Sequence, residues 1–181
     1  DNMAGVSFKL TADGKSTTVK TDENGNLKSP NYPVGTVVEY EETATIAGHY
    51  IDTASSKGKI TIKEGSNEIK VTNPRYANVT LNKKNDVGLN LEGVQFKLTY
   101  NGKDHTVKTD KNGQIQVTNE LKNNTKIDWE ETATIAGHYI DTANAKGSLV
   151  VKSGSNTINV INPRYANLTL IKQDDKGLNL E

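Results

Sequence analysis

The sequence predicts an all-β chain built from two tandem antiparallel β-sandwich domains. Short β-branched runs alternate with polar residues and are bounded by turn residues, and no amphipathic helix interrupts them. The pattern also occurs twice: Gly5–Leu10 matches Gly93–Leu98, and Glu41–Ala54 is identical to Glu130–Ala143. The repeating unit of about 88 residues has the size of a small independent domain and is too long for a solenoid repeat.

Seven strands are predicted in the second unit, each from a short run in which apolar and polar residues alternate. The pair Asn112-Gly113 signals a hairpin turn between two of them, as Asn24-Gly25 does in the first unit. The predicted strands are Asn78–Lys83, Val94–Thr99, His105–Thr109, Ile115–Thr118, Lys126–Glu131, Ser148–Lys152 and Thr157–Asn162.

The predicted domain boundaries do not coincide with the two ends of the chain. Residues 1–76 form a first repeat that lacks its opening strand, residues 77–165 form a complete second repeat, and residues 166–181 read as the opening strand of a following repeat. The segment YANVTLNKKNDVGLNLE, from Tyr76, returns from Tyr165 as YANLTLIKQDDKGLNLE. We therefore expect a piece of a longer protein.

The strand at 166–181 has two interpretations. An unpaired sheet edge in the first repeat invites a partner strand. At about 3.5 Å per residue, the few residues after Asn162 cannot reach back across a whole domain. One hypothesis is therefore head-to-tail strand exchange, in which this strand completes the first repeat of another chain. The alternative is that the boundaries of the fragment alone separate the strand from its repeat.

Composition excludes several classes of function. Lys and Arg number 22 and Asp and Glu number 22, without long blocks of one sign, so no nucleic-acid partner is predicted. The chain has no cysteine, which excludes disulfides and thiolate metal sites. His49 and His138 occur one to a unit without a second ligand nearby, so neither a metal nor a cofactor is expected. No apolar run is long enough for membrane insertion of this fragment.

Three polar residues of the second unit fall on the apolar faces of their predicted strands. Residues two apart in a strand share a face, which places Lys83, Glu131 and Asn162 towards the core and Glu130 towards solvent. Burial lowers the pKa of a lysine and raises that of a glutamate. A neutral amine could then attack the Asn amide while the acid polarises the carbonyl and ammonia leaves. The product would be a Lys–Asn isopeptide bond; a salt bridge or frayed strand ends remain alternatives at this point.

The first unit repeats two of these three residues. Glu42 shares a predicted strand face with Val38 and Tyr40, and Asn73 shares one with Ile69 and Val71. They hold the positions of the acid and the amide, whereas the strand that would carry the lysine is absent. The strand after the second unit carries Lys172 on the face of Leu168 and Leu170. Under the hypothesis of strand exchange, Lys172 is the candidate donor of an intermolecular bond to Asn73; under the alternative it has no such role.

Three segments of the second unit together carry a family resemblance. They are LNKKNDVGLNLEGVQFKL at Leu81–Leu98, ETATIAGHY at Glu131–Tyr139 and INVINPR at Ile158–Arg164. In order and spacing they resemble the collagen-adhesin B-type family, CnaB, also called SpaA-like or prealbumin-like domains, of Gram-positive surface adhesins and pilins. The proline of the family's Glu-Thr-x-Ala-Pro-x-Gly-Tyr element is missing near Thr134, a departure that concerns the loop.

The resemblance implies two Ig-like, prealbumin-like sandwiches with an isopeptide bond between Lys83 and Asn162 and Glu131 as its catalytic acid. It implies stalk or spacer repeats on the bacterial cell surface, in a parent protein anchored to the cell wall. Their partners would be neighbouring repeats of the same protein, and bond formation would be a single turnover, so no enzyme is predicted. The alternative function is a ligand-binding adhesin module for a host matrix protein or carbohydrate, of unknown identity.

Overall fold

The computed structural model describes residues 3–178, and every regular element in that range is a β-strand. The seven strands predicted in the second unit are all present, which confirms the all-β prediction. In chain order the strands are β1 (Ser7–Ala12), β2 (Lys15–Lys20), β3 (Val37–Ala44), β4 (Lys57–Thr61), β5 (Ala77–Asn85), β6 (Gln95–Tyr100), β7 (Lys103–Lys108), β8 (Gln114–Leu121), β9 (Lys126–Ala133), β10 (Lys146–Val150) and β11 (Gly154–Asn162).

Both units contain the same four-stranded antiparallel sheet. Its order is β2-β1-β3-β4 in the first unit and, in the same direction, β7-β6-β9-β10 in the second, where each strand takes the place of its counterpart. The register is also the same, because Phe8 pairs with Glu42 and Phe96 pairs with Glu131. Each of these pairings follows a local register shift, after Ser7 and after Gln95. The two units therefore place their inward glutamates at equivalent points.

The second unit has a further sheet, of three strands in the order β11-β5-β8. The central strand β5 is antiparallel to β8 but parallel to β11 along its whole length. The prediction of a purely antiparallel sandwich is wrong in this detail. Alternation of residue types fixes which face a side chain takes but not the direction in which the strand runs.

The core of the second unit lies between its two sheets. Alternate residues of β5 face inward, as a strand with one buried face requires. They meet the inward residues of the opposite sheet in one apolar cluster. Its largest fully buried members are Phe96, Leu81, Leu98, Leu121 and Ile127.

The first unit has only the four-stranded sheet within the described residues. Residues 62–74, which include the predicted face of Ile69, Val71 and Asn73, form no strand, so that prediction is wrong. Ile69 is exposed, whereas its equivalent Ile158 is buried in β11. The strand that would lie beside this segment, as β5 lies beside β11, is not present in the described part of the first unit. Without it, the backbone of residues 62–74 has no ladder to join.

Residues 166–172 follow the second unit and differ from their equivalents at the start of β5. Residues 166–172 form no strand, and their side chains are exposed. Residues 179–181 of the predicted last strand lie outside the described residues. Residues 3–178 include no helical segment with the length and hydropathy needed to cross a bilayer.

Candidate functional site

Three strands of the second unit bring Lys83, Glu131 and Asn162 together between the two sheets. In the parallel β5–β11 ladder Lys83 pairs with Val160, so Asn162 is its diagonal neighbour on the same face. Glu131 faces them from β9 in the opposite sheet. Lys83 and Asn162 are completely buried and Glu131 is 5% exposed. The predicted trio is thus a buried cluster of polar groups in an otherwise apolar core.

The carboxyl group of Glu131 bridges the other two side chains. Its Oε1 accepts a hydrogen bond from Asn162 Nδ2. Its Oε2 lies 3.8 Å from Lys83 Nζ. Thr134 Oγ1 accepts a second bond from Asn162 Nδ2, at 2.7 Å. One carboxyl group therefore contacts both the amine and the amide of the proposed bond.

The backbone of Lys83 is fixed on both sides, by the turn at Asn112-Gly113 and by the segment before β6. The prediction of a hairpin at this turn is wrong, because the turn joins β7 of one sheet to β8 of the other and the two strands do not pair. Lys83 N donates to Gly113 O at 2.7 Å, and Lys83 O accepts from Leu91 N at 3.0 Å. Gly113 has a φ of 68°, and a Cβ there would come within 2.5 Å of Lys83 O. Only glycine permits this approach. The turn therefore helps to hold Lys83 in place as well as joining two strands.

Burial displaces the pKa values of the amine and the acid towards each other. Loss of solvation lowers the pKa of Lys83 from 10.5 to about 8, although the nearby Glu131 carboxyl opposes the shift. Loss of solvation also raises the pKa of Glu131, against the opposing effects of the Asn162 hydrogen bond and of Lys83. Both shifts favour a neutral amine beside a protonated carboxyl. That pair combines a nucleophile with a general acid.

The amide of Asn162 is only half satisfied. Its Oδ1 is buried and accepts no hydrogen bond from the described residues. Half a turn about the Cβ–Cγ bond exchanges the amide oxygen and nitrogen. In that orientation a protonated Glu131 would donate to Oδ1 and make the Asn162 carbonyl carbon more electrophilic. Burial separates this contact from bulk solvent, which strengthens its electrostatic effect.

The first unit contains the acid and the amide in a similar arrangement. Asn73 Nδ2 donates to Glu42 Oε1 at 2.6 Å. Glu42 is 4% exposed, and loss of solvation raises its pKa, opposed by the Asn73 hydrogen bond. Its Oε2 has no hydrogen-bond partner among residues 3–178. The equivalent oxygen of Glu131 also has no hydrogen-bond partner among these residues and lies 3.8 Å from Lys83 Nζ.

Lys172 is exposed and lies at neither site within one chain. Sequence reasoning missed two contributors to the second site, Thr134 and Gly113. The signal for Thr134 was its place in the duplicated stretch, and the signal for Gly113 was the Asn-Gly turn, interpreted only as a hairpin. No group of three or more His, Asp or Glu side chains that could hold a metal ion occurs between residues 3 and 178.

Comparisons with known proteins give a family and several distant structures. The SpaA prealbumin-like fold domain matches residues 1–75 and again residues 77–164. No curated protein has detectable sequence similarity to the chain.

Three solved structures are among those similar to this chain. The Bacillus anthracis TIE protein is 18% identical with a TM-score of 0.44, over 100% of this chain but only 38% of that protein. The minor pilin GBS52 of Streptococcus agalactiae is 13% identical with a TM-score of 0.43, over 94% of this chain and 87% of that one. The shaft pilin SpaA of Lactobacillus rhamnosus GG is 15% identical with a TM-score of 0.46, over 92% and 90%.

Proposed function

The chain belongs to the SpaA family of prealbumin-like fold domains, and from this premise we propose that it supplies structural repeats to the stalk of a Gram-positive surface adhesin or pilin. In this proposal an isopeptide bond between Lys83 and Asn162, formed once with Glu131 as the acid, stabilises the second repeat. The stalk lies outside the cell, and neighbouring repeats of the same protein are the partners of each domain. The observation that carries the proposal is the buried contact of one carboxyl group with both an amine and an amide.

The reaction that we propose needs no component beyond the three side chains. Neutral Lys83 Nζ attacks Cγ of Asn162 while protonated Glu131 donates to the amide oxygen. A proton passes from the attacking nitrogen to Nδ2 by way of the Glu131 carboxyl, the Cγ–Nδ2 bond breaks, and ammonia leaves. The product is a secondary amide, and Glu131 ends as it began. Because the amine is consumed, each domain reacts once.

The position of the bond suits a domain under tension. It joins β5, the first strand of the second repeat, to β11, the last. A chain pulled at both ends would therefore transmit force through the bond and not through the sheet hydrogen bonds. A domain of this size buries a small core and has a modest free energy of unfolding. Because the chain has no cysteine, a disulfide could not serve this purpose.

Intact mass spectrometry of the denatured monomer tests the proposal. The chain should be lighter than its sequence by one ammonia, and Glu131→Gln should restore the full mass because the acid is lost. Glu130→Gln is the matched control, since Glu130 is the exposed neighbour whose ion-pair partner is Lys97, at 3.8 Å. It should still lose one ammonia. A wild-type monomer at full mass, or a Glu131→Gln monomer that loses ammonia as readily, would contradict the assignment.

A further inference from the structure

Thr134 lies beside the second site although strand parity would turn it away. It is the third residue after Glu131, and in a regular strand two such side chains point to opposite faces of the sheet. Its Oγ1 nevertheless lies 2.7 Å from Nδ2 of Asn162, the amide nitrogen that Glu131 also contacts. The backbone between Glu131 and Thr134 must therefore depart from regular strand geometry.

The departure is a β-bulge near the end of β9. Gln95 pairs with Ala133, whereas the next residue of β6 pairs with Glu131, so Thr132 is an extra residue in the ladder. The extra residue stays on the outer face, where Thr132 Oγ1 accepts a hydrogen bond from Nε2 of Gln95 at 3.1 Å. A bulge of this kind changes the direction of the side chains that follow it. Thr134 is therefore turned to the same side as Glu131.

The loop that begins at Thr134 is also held against the chain that follows Asn162. Tyr139 N donates to Pro163 O at 3.1 Å, which joins the end of the loop to the residue next to Asn162. Ile135, directly after Thr134, packs against the apolar core of the second unit. The hydroxyl and the amide are thus held in contact by the fold, and their approach needs no further ordering.

Two oxygens, Glu131 Oε1 and Thr134 Oγ1, converge on one atom of the Asn162 amide. In the structure that atom is Nδ2, and Oδ1 has no hydrogen-bond partner among residues 3–178. Half a turn about the Cβ–Cγ bond brings Oδ1 between the same two oxygens. A hydroxyl can donate as well as accept, and a protonated carboxyl can do the same. The amide oxygen would then receive two hydrogen bonds.

The Thr134 hydroxyl can act as a donor at this site. Loss of solvation raises the pKa of Glu131, and a hydrogen bond from Thr134 is among the effects that oppose the rise. A hydrogen bond lowers the pKa of a carboxyl group when it stabilises the charged form, which only accepts. The hydroxyl is therefore able to direct its proton towards the oxygens of the site.

A second donor would supply what Glu131 alone cannot keep constant. In the proposed reaction the carboxyl group polarises the amide oxygen and also relays a proton from the attacking nitrogen to the leaving nitrogen. Its hydrogen bond to the amide oxygen changes while that proton is in transit. The threonine hydroxyl takes no part in the relay and keeps its proton throughout, so its hydrogen bond persists.

We propose that Thr134 is a catalytic residue of this site, and that its hydroxyl and the protonated carboxyl of Glu131 together form an oxyanion hole for the amide oxygen of Asn162. The inference rests on the proposed function and adds a residue to it. As Lys83 Nζ bonds to Cγ, electrons of the carbonyl double bond move to Oδ1, where both donors stabilise the negative charge. The double bond then re-forms, the Cγ–Nδ2 bond breaks, and Nδ2 leaves as ammonia with the proton relayed by Glu131.

The rate of bond formation in the full chain tests this role. The chain is synthesised in a cell-free system, samples are unfolded in denaturant at intervals, and the loss of ammonia is followed by intact mass spectrometry. Thr134→Val replaces the hydroxyl by a methyl group in a side chain of the same shape. It should slow the loss of ammonia about 100-fold, the effect of removing one oxyanion donor. Thr134→Ser retains the hydroxyl and should react at close to the wild-type rate.

The matched control is the other threonine of the bulge. Thr132 is exposed and its hydroxyl contacts Gln95, so Thr132→Val should lose ammonia at the wild-type rate. Circular dichroism checks that each chain is folded, and Thr134→Ala provides a second folded chain without the hydroxyl if Thr134→Val fails this check.

The outcomes separate this inference from the proposed function. If Thr134→Val and the wild type lose one ammonia at equal rates, the inference is overturned and the proposed function stands. A Thr134→Ser chain as slow as Thr134→Val would also overturn it, because packing of the side chain and not its hydroxyl would then control the rate. A folded wild-type chain that stays at full mass would overturn both.

Discussion

Replacing Glu131 by a neutral side chain of the same shape should prevent the Lys83–Asn162 bond and lower the stability of the second domain. Glu131→Gln keeps a side chain of the same size in contact with Asn162 but cannot act as the acid, so we expect folding without the bond. By the chain-entropy relation used for cross-links, closing the loop between Lys83 and Asn162 contributes ~4.5 kcal/mol. The variant should lose about that free energy of unfolding. For a domain of this size the loss corresponds to a decrease in melting temperature of roughly 20 to 35 °C.

The assay can follow this domain alone. Trp129 is the single tryptophan of the chain and lies in β9, next to the site. Its fluorescence during thermal or denaturant unfolding therefore reports the second domain and not the first. Glu130→Gln provides the baseline, because a change at an exposed position should alter stability by no more than about 0.5 kcal/mol. An unchanged melting temperature in Glu131→Gln would refute the reasoning.

A double-mutant cycle separates the cross-link from ordinary packing. Lys83→Met replaces the buried amine by an apolar side chain of similar length and should also prevent the bond. If both single variants lose stability because they lose the same bond, the double variant should be about as stable as either one. Losses that add would mean that Lys83 and Glu131 contribute separately, and the cross-link would then be absent from the wild type.

Two further outcomes follow from the same bond. Without the bond, as in Glu131→Gln, burial holds the folded-state pKa of the free Lys83 amine below its unfolded value of 10.5. The free energy of unfolding should therefore be highest above pH 10.5 and should decrease as the pH falls towards the folded-state pKa. Denaturation at several pH values should show this slope, of at most ~1.4 kcal/mol per pH unit, and the bonded wild type should lack it. In single-molecule stretching the bond should shield residues 84–161, so Glu131→Gln should extend by about 270 Å more than Glu130→Gln; equal extensions would contradict the proposed force path.

Strand parity predicted the burial of Lys83, Glu131 and Asn162 correctly, because it depends only on the alternation of side chains. Lys83, Glu131 and Asn162 each lie two residues from a large apolar residue, and burial of that face carries the polar residue inward. The same reasoning separated Glu131 from its exposed neighbour Glu130. Parity contains no information on strand direction or on distance. The parallel pairing of β5 with β11, and the contacts that bridge the trio, therefore required the structure.

The failed prediction in the first unit has a different cause. Ile69, Val71 and Asn73 show the alternation of a strand, but alternation states only which face each residue would take if a strand formed. A strand also needs a neighbouring backbone for its hydrogen bonds, and β5 supplies this for β11 in the second unit. Sequence reasoning recognised that the opening strand was absent without inferring that its neighbours would lose their strand structure too.

The comparison of the two units explains why a cross-link attached to β5 would be effective. The four-stranded sheet keeps its order and register in both units, so it does not depend on the opening strand. The three-stranded sheet does depend on it, because β5 is central and β8 and β11 each pair only with β5 within that sheet. Detachment of this one strand would therefore remove a whole sheet and expose the apolar core. A bond from Lys83 to Asn162 would join β5 covalently to β11. It would therefore retain the strand whose detachment would destabilise the domain most.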